Sequence, residues 1–335
     1  MTTQNRNFFS IGFATSVAKR IGFATSVANA LHLRERMQNA SQTVLCAASF
    51  SCAAIVLPFG KYLIGAPTST VAATQNVTTQ NVATQTPPEF CNITNEAFQA
   101  GEKLTYKVYY NLNFVWVPAG EVVFSVTDQN GMLRLSATGR TYKSYEWFFK
   151  VRDLYEVYVD KTTMQPVMSV RDIHEGSFNL FHRQTFDFTK KQVTVESGDN
   201  RNQTEKEKFN FQGCVHDIVS MIYYARNLDP NAYKKDQKIP VKVFMDKQTY
   251  TVNVHFKGKE AQRDFKEVGK FKTYKFSPEM VTGGVFKEPA AMNVYCSDDK
   301  NRLPLMIESS LAVGSVKVML SKTEGIKNPM SAKIN

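Results

Sequence analysis

The 335-residue chain lacks most of the patterns that mark an enzyme or a metal protein. Its five cysteines include no C-x-x-C pair, which removes the usual zinc and thiol-redox spacings. Its five histidines, His32, His174, His182, His216 and His255, form neither an H-E-x-x-H motif nor an i, i+4 pair. No G-x-S-x-G is present for a strand-to-helix nucleophile. Gly283-Gly284 precedes no helical pattern, so no phosphate cradle follows from it. No catalytic set, metal or cofactor is therefore expected. Acids are almost missing from the first 66 residues, which hold Glu35 against Arg6, Lys19, Arg20, Arg34, Arg36 and Lys61. No apolar run reaches the ~20 residues that cross a bilayer comfortably.

What that first stretch does contain sets the compartment. Residues 1–41 read as a basic, unstructured leader in which IGFATSVA occurs twice, at 11–18 and 21–28. The copy is too short to be an architectural repeat. An uncharged run follows, Thr43–Pro58, and residues 42–66 have the order of a secretory signal: basic flank, apolar stretch, small residues. A cleaved signal peptide is the first reading and a retained anchor helix the second. Cys52, behind Ser49-Phe50-Ser51, is a poor lipoprotein acceptor. In both readings the basic flank stays inside and the rest is exported to the periplasm or cell envelope; a retained segment would tether it to the membrane. Residues 67–88 are rich in Thr, Gln and Ala, repeat TQNV and end in Pro87-Pro88. Such a tract buries too little to offset chain entropy and reads as a linker.

The formal charge is +11, from 41 Lys+Arg and 30 Asp+Glu. The first 66 residues carry +5 of it and the rest of the chain +6. The remaining lysines alternate with acids along strands, as on a solvated face, and no basic stripe tracks phosphates. No nucleic-acid partner is expected.

From residue 89 to 322 a single domain is expected, with 323–335 as a flexible tail. The dominant period is two: Leu104, Tyr106, Val108 and Tyr110 alternate with polar neighbours, as do Val122, Phe124 and Val126. Asn130-Gly131, Thr189–Lys191 and Asp246-Lys247 offer tight turns, so neighbouring strands pair antiparallel. Val215, Ile218, Val219, Ile222 and Ala225 share a stripe of one helix near 215–228, with Asp217 at its start and Arg226 near its end. Ser144 is placed to cap a short helix through Trp147 and Phe148. The fold class is mainly β: a large curved antiparallel sheet or half-open barrel, with one central helix and one short helix, behind the signal or anchor helix. Curling or coverage protects the edges of so large a sheet.

Three stretches resemble the bacterial family DUF3108. They are Gly101–Tyr106 with Ala119-Gly120-Glu121, the helical Cys214–Arg226, and Asp298–Pro304 with Val313–Val316. The likeness covers roughly residues 97–320 and leaves out the leader and linker. It implies an envelope location and a β-rich fold similar to periplasmic lipoprotein carriers, and it supplies no catalytic residues.

The candidate site is aromatic. The first third of the domain carries both tryptophans, and a half-barrel with an aromatic concave face would hold an apolar ligand. Tyr110, Trp116, Trp147 and Phe148 are the expected ligand-binding residues, set against ordinary core packing. Exported cysteines pair, and Cys91 with Cys214 would tie the start of the domain to the helix, leaving Cys296 as a buried thiol. Asp172, His174, Glu175 and His182 are the one conceivable acid–base or metal cluster. Asp298-Asp299 reads as a polar turn, not a calcium loop. The expected function is an exported envelope protein that binds an apolar ligand or a protein partner without turnover. A structural or assembly protein, or a hydrolase, are the alternatives.

Overall fold

The computed structural model describes residues 93–112, 115–147, 149–279, 292–310 and 315–334. The leader, the apolar segment, the linker, Cys91 and Phe148 lie outside them, so the expected signal or anchor helix does too. All described residues fall within one compact unit.

The strands are β1 (Lys103–Leu112), β2 (Val115–Gln129), β3 (Met132–Thr141), β4 (Val151–Asp160), β5 (Pro166–Glu175), β6 (Phe178–Asp187), β7 (Gln192–Asn200) and β8 (Gln203–Asn210). After a crossover come β9 (Lys238–Met245), β10 (Gln248–Phe265), β11 (Gly269–Pro278), β12 (Met292–Ser297), β13 (Pro304–Ser310), β14 (Ser315–Glu324) and the short β15 (Lys333–Ile334). They form one antiparallel sheet in the order β8-β7-β6-β5-β4-β3-β2-β1-β14-β13-β12-β11-β10-β9, with β15 beside β11. The expected turns join them. Asn130 and Gly131 take positive φ of 51° and 79°, and Asp246 and Lys247 take 47° and 73°, the backbone a two-residue hairpin requires.

The sheet curls but does not close. Its ends, β8 and β9, share no ladder. Side chains join them instead. Phe244 of β9 packs edge-on to Phe186 of β6 at 6.3 Å. Arg171 of β5 pairs with Asp246 at 2.6 Å, and Lys247 pairs with Glu207 of β8. A single parallel bridge links His216 to Val243. The result is one large antiparallel sheet that is not closed into a barrel.

Two helices interrupt the sheet. α1 (Lys143–Glu146) is shorter than expected, and its N-cap is Tyr142, not Ser144, with no side-chain cap. α2 (Ile218–Ala225) lies inside the curl and begins at Asp217. The Asp217 carboxylate accepts from Ser220 N at 2.8 Å and Val219 N at 3.3 Å, while Ser220 Oγ accepts from Asp217 N. This reciprocal cap starts the helix three residues later than the apolar stripe alone suggests. Val219 and Tyr223 pack on β3 and β4; Tyr224 packs on the β9–β11 side. A helix apolar on nearly every face is at home only inside such an enclosure.

The expected flexible tail is corrected: residues 323–334 are docked. Asn301 Nδ2 donates to Asn328 O at 2.8 Å, Ala332 is buried, and Lys333–Ile334 pair with Lys270–Phe271. Gly325, at φ 61°, passes so close to Gly101 that a Cβ would sit 2.2 Å from its carbonyl oxygen. The composition reads as loose chain because the anchors are backbone groups and three scattered apolar side chains, Ile326, Met330 and Ala332, with no strand or helix period.

Candidate functional site

The site is hollow space beside α2. A cavity of about 140 Å³ opens between the helix and the inner face of β9–β13. From the helix come Ile218, Met221 and Ala225; facing them are Val243, Val254 and Val294. A second space of about 30 Å³ lies against β1, β2 and β14. The two share Ile222, Arg226, Pro304 and Ile307 as walls.

Of the charged wall residues, Arg226 is the most deeply committed. Arg226, the C-cap of α2, is buried together with Glu102. Its Nη1 donates to Glu102 Oε1 at 2.5 Å and its Nη2 to Oε2 at 2.9 Å. Nη2 also donates to the carbonyls of Ala97 and Asn301, and Nε to Asn301 O at 3.2 Å. The guanidinium lies 5.4 Å from the rings of both Phe98 and Tyr223. A buried pair held this way has its desolvation cost met by geometry and added hydrogen bonds. Arg302 donates to the Arg226 carbonyl at 3.2 Å, closing the same corner.

The other end of the helix is held by backbone and by sulfur. His216 N donates to Lys242 O and its carbonyl accepts from Phe244 N, at 2.9 and 2.8 Å. Cys214 is disulfide-bonded. Its expected partner Cys91 lies outside the described residues. Cys296, on the cavity wall, is free and buried, and burial pushes its thiol up to about 12, so it stays protonated and inert.

At the outer lip of the cavity, beside Val254 and Pro278, stands Glu279. Asn253 Nδ2 donates to it at 2.7 Å, His255 Nε2 lies 2.6 Å away and Lys238 Nζ 3.0 Å. These contacts, Asn253 first, hold its carboxyl down to about 2. The lip is polar, and the interior is apolar apart from the Arg226–Arg302 corner.

The expected aromatic residues do not line either space. Tyr110 is buried in the sheet. Trp116 is half-buried beneath Lys317, whose Nζ lies 4.2 Å from the ring centre. Trp147 is 80% exposed and donates from Nε1 to Ser144 O. Phe148 lies outside the described residues. Aromatic rings fill volume, so they mark where the inside is solid. The larger hollow is lined mainly by aliphatic and thioether side chains, with Phe276 its one aromatic ring, and the sequence presents them as an ordinary alternating face.

The conceivable histidine cluster does not assemble. His174 pairs with Asn179 and His182 with Arg171 across β5 and β6, an odd offset that puts the two rings on opposite faces. His174 is half exposed and lies 3.0 Å from Asp172, while His182 is buried and driven to about 2 by desolvation. No group of three or more metal-type ligands occurs among the described residues. Buried Asp153 and Glu175 form a separate titratable pair on β4 and β5; burial, then the Glu175 charge, raises Asp153 to about 8. No described helix is long and apolar enough to cross a membrane.

Fold and site together define a class: an open antiparallel half-barrel wrapped round one apolar helix, with a hydrocarbon-lined cavity beside it. The profile of DUF3108, a protein family of unknown function, matches residues 105–321, and the chain belongs to that family. No curated protein matches the chain. Among solved structures it is similar to a β-barrel-like protein of DUF1849 from Brucella abortus, at 8% identity and TM-score 0.49, over 69% of this chain and 100% of that one. The hypothetical protein CT021 from Chlamydia trachomatis gives 6% identity and TM-score 0.30, over 71% and 92%. A predicted exported protein of YmcC-like fold from Bacteroides fragilis gives 10% and 0.25, over 69% and 99%. Likenesses this remote carry no function across.

Proposed function

We propose that this is an exported, non-enzymatic protein of the bacterial cell envelope that binds an apolar ligand in the cavity between α2 and the curved sheet. One observation carries the reading: about 140 Å³ of mainly apolar space kept open beside α2. Protein interiors close-pack, and an unfilled void lined by hydrocarbon forfeits contacts on every wall. A ligand would restore them. Binding is favoured over turnover because the ionic wall groups, Arg226, Arg302 and Glu279, each have a fixed partner. Export is supported by the basic flank and apolar run of residues 34–66. The large apolar side chains exposed among the described residues, Val115, Trp147 and Val167, lie on separate elements, which gives an assembly role less support.

The test is purification of the full-length protein from its native envelope, followed by organic extraction and mass spectrometry. An apolar small molecule in near-stoichiometric amount is expected. Repeated preparations with an empty cavity and no extractable compound would overturn the reading.

A further inference from the structure

We infer that the occupant is one linear acyl or alkyl chain, entering past the polar lip and threading along α2. This deepens the binding reading and rests on it. Size is the first argument. The cavity, about 140 Å³, matches the roughly 150 Å³ void that holds benzene in a well-studied engineered case, so it takes about six carbons. A fused ring system or a whole lipid exceeds that.

Shape is the second argument. The smaller space continues the path under β1, β2 and β14, and the side chains between the two include Ile222 and Ile307. A χ1 change at such a residue joins the spaces into one slot. A chain would use both spaces, whereas a compact ring would fill only the larger one.

Chemistry is the third. Met221, Met245 and Met292 lie on the walls, and their flexible thioethers adapt to a chain without fixed shape. The Arg226 donors are taken by Glu102 and by the Ala97 and Asn301 carbonyls. The other wall cation, Arg302, donates to the Arg226 carbonyl and closes the same corner, so the polar end is best matched at the lip with Lys238, His255 and Glu279.

The test uses the full-length protein and the n-alkanols from butanol to dodecanol, with cyclohexane as a compact control. Calorimetry should show affinity rising about fourfold per added methylene and then levelling when the slot is full. Ala225→Leu, which narrows the slot from the helix side, should weaken octanol at least tenfold while the protein still melts cooperatively. Cyclohexane binding as tightly as octanol, with no length dependence, would overturn the chain and leave the binding reading standing. Failure of every alkanol and of cyclohexane would remove both. Source is read by incubation with dodecanoate and, separately, with phosphatidylglycerol vesicles, followed by native mass spectrometry. A dodecanoate adduct alone assigns the chain to a free fatty acid, a phospholipid adduct assigns it to a membrane lipid, and neither adduct overturns the chain.

Discussion

The two flanks of α2 are built from the same helix and end differently. Toward β3 and β4 the helix meets a solid core, with Val219 and Tyr223 against Leu135, Val157 and Phe98. The Phe98 and Tyr223 rings sit 4.7 Å apart at 67°, an edge-on contact that leaves little void. Toward β9–β13 the helix presents Ile218, Met221 and Ala225 to valines, and the space stays open. A helix free to move would roll into that space. It is fixed at one end by the His216 bridge and the Cys214 disulfide, and at the other by Arg226 on Glu102 and Asn301. Pinning both ends is what lets one flank remain hollow.

The comparison breaks most violently if a pin is pulled. Glu102→Ala leaves the Arg226 charge buried without its partner, and equilibrium denaturation should show a loss of about 3–5 kcal/mol, enough to unfold many domains. The other pin follows. Peptide mapping without reductant should recover a Cys91–Cys214 cross-linked peptide. Its removal by Cys214→Ser should cost about 2–5 kcal/mol.

Smaller changes sharpen the contrast between flanks. Ala97, buried on the solid side, has no room to grow, so Ala97→Leu should destabilise by about 1–3 kcal/mol. Ala225→Leu on the hollow side fills space and should stabilise the unliganded protein by about 0.5–2 kcal/mol. Opposite signs in thermal melts are the expected result, and equal losses would mean the flanks do not differ.

The last effect is one of slope. Asp153, beyond the solid flank on β4, binds its proton more tightly folded than unfolded, with the carboxyl raised from 3.8 to about 8. Its contribution is complete below about pH 4 and is lost as pH rises toward about 8. The wild-type protein should lose stability from this group as pH rises across that window. Asp153→Asn should flatten the midpoint-versus-pH curve there.

Much of the architecture was written in local pattern. Period-two alternation placed the strands, Asn130-Gly131 and Asp246-Lys247 placed hairpins, and Asp217 and Arg226 marked the ends of α2. The site was less legible. Val241, Val243, Val252 and Val254 read as an ordinary buried face, and whether such a face is filled depends on residues far along the chain that curl over it. Tyr110, Trp116 and Trp147 drew attention because aromatics are conspicuous, yet bulk is what the cavity lacks. Glu102 sits 124 positions from Arg226, and no periodicity announces a contact of that span. The docked C-terminal segment was hidden for the same reason: Asn301 reaches the carbonyls of Asn328 and Pro329, and backbone acceptors carry no sequence signature.

The central claim is that the space beside α2 is open in the folded protein. A crystal structure of the full-length protein pressurised with xenon tests it directly. A xenon atom seated among Met221, Val243 and Val294 is the predicted result. Side chains from α2 and β9–β12 interleaved across that position, with no xenon between them, would contradict it.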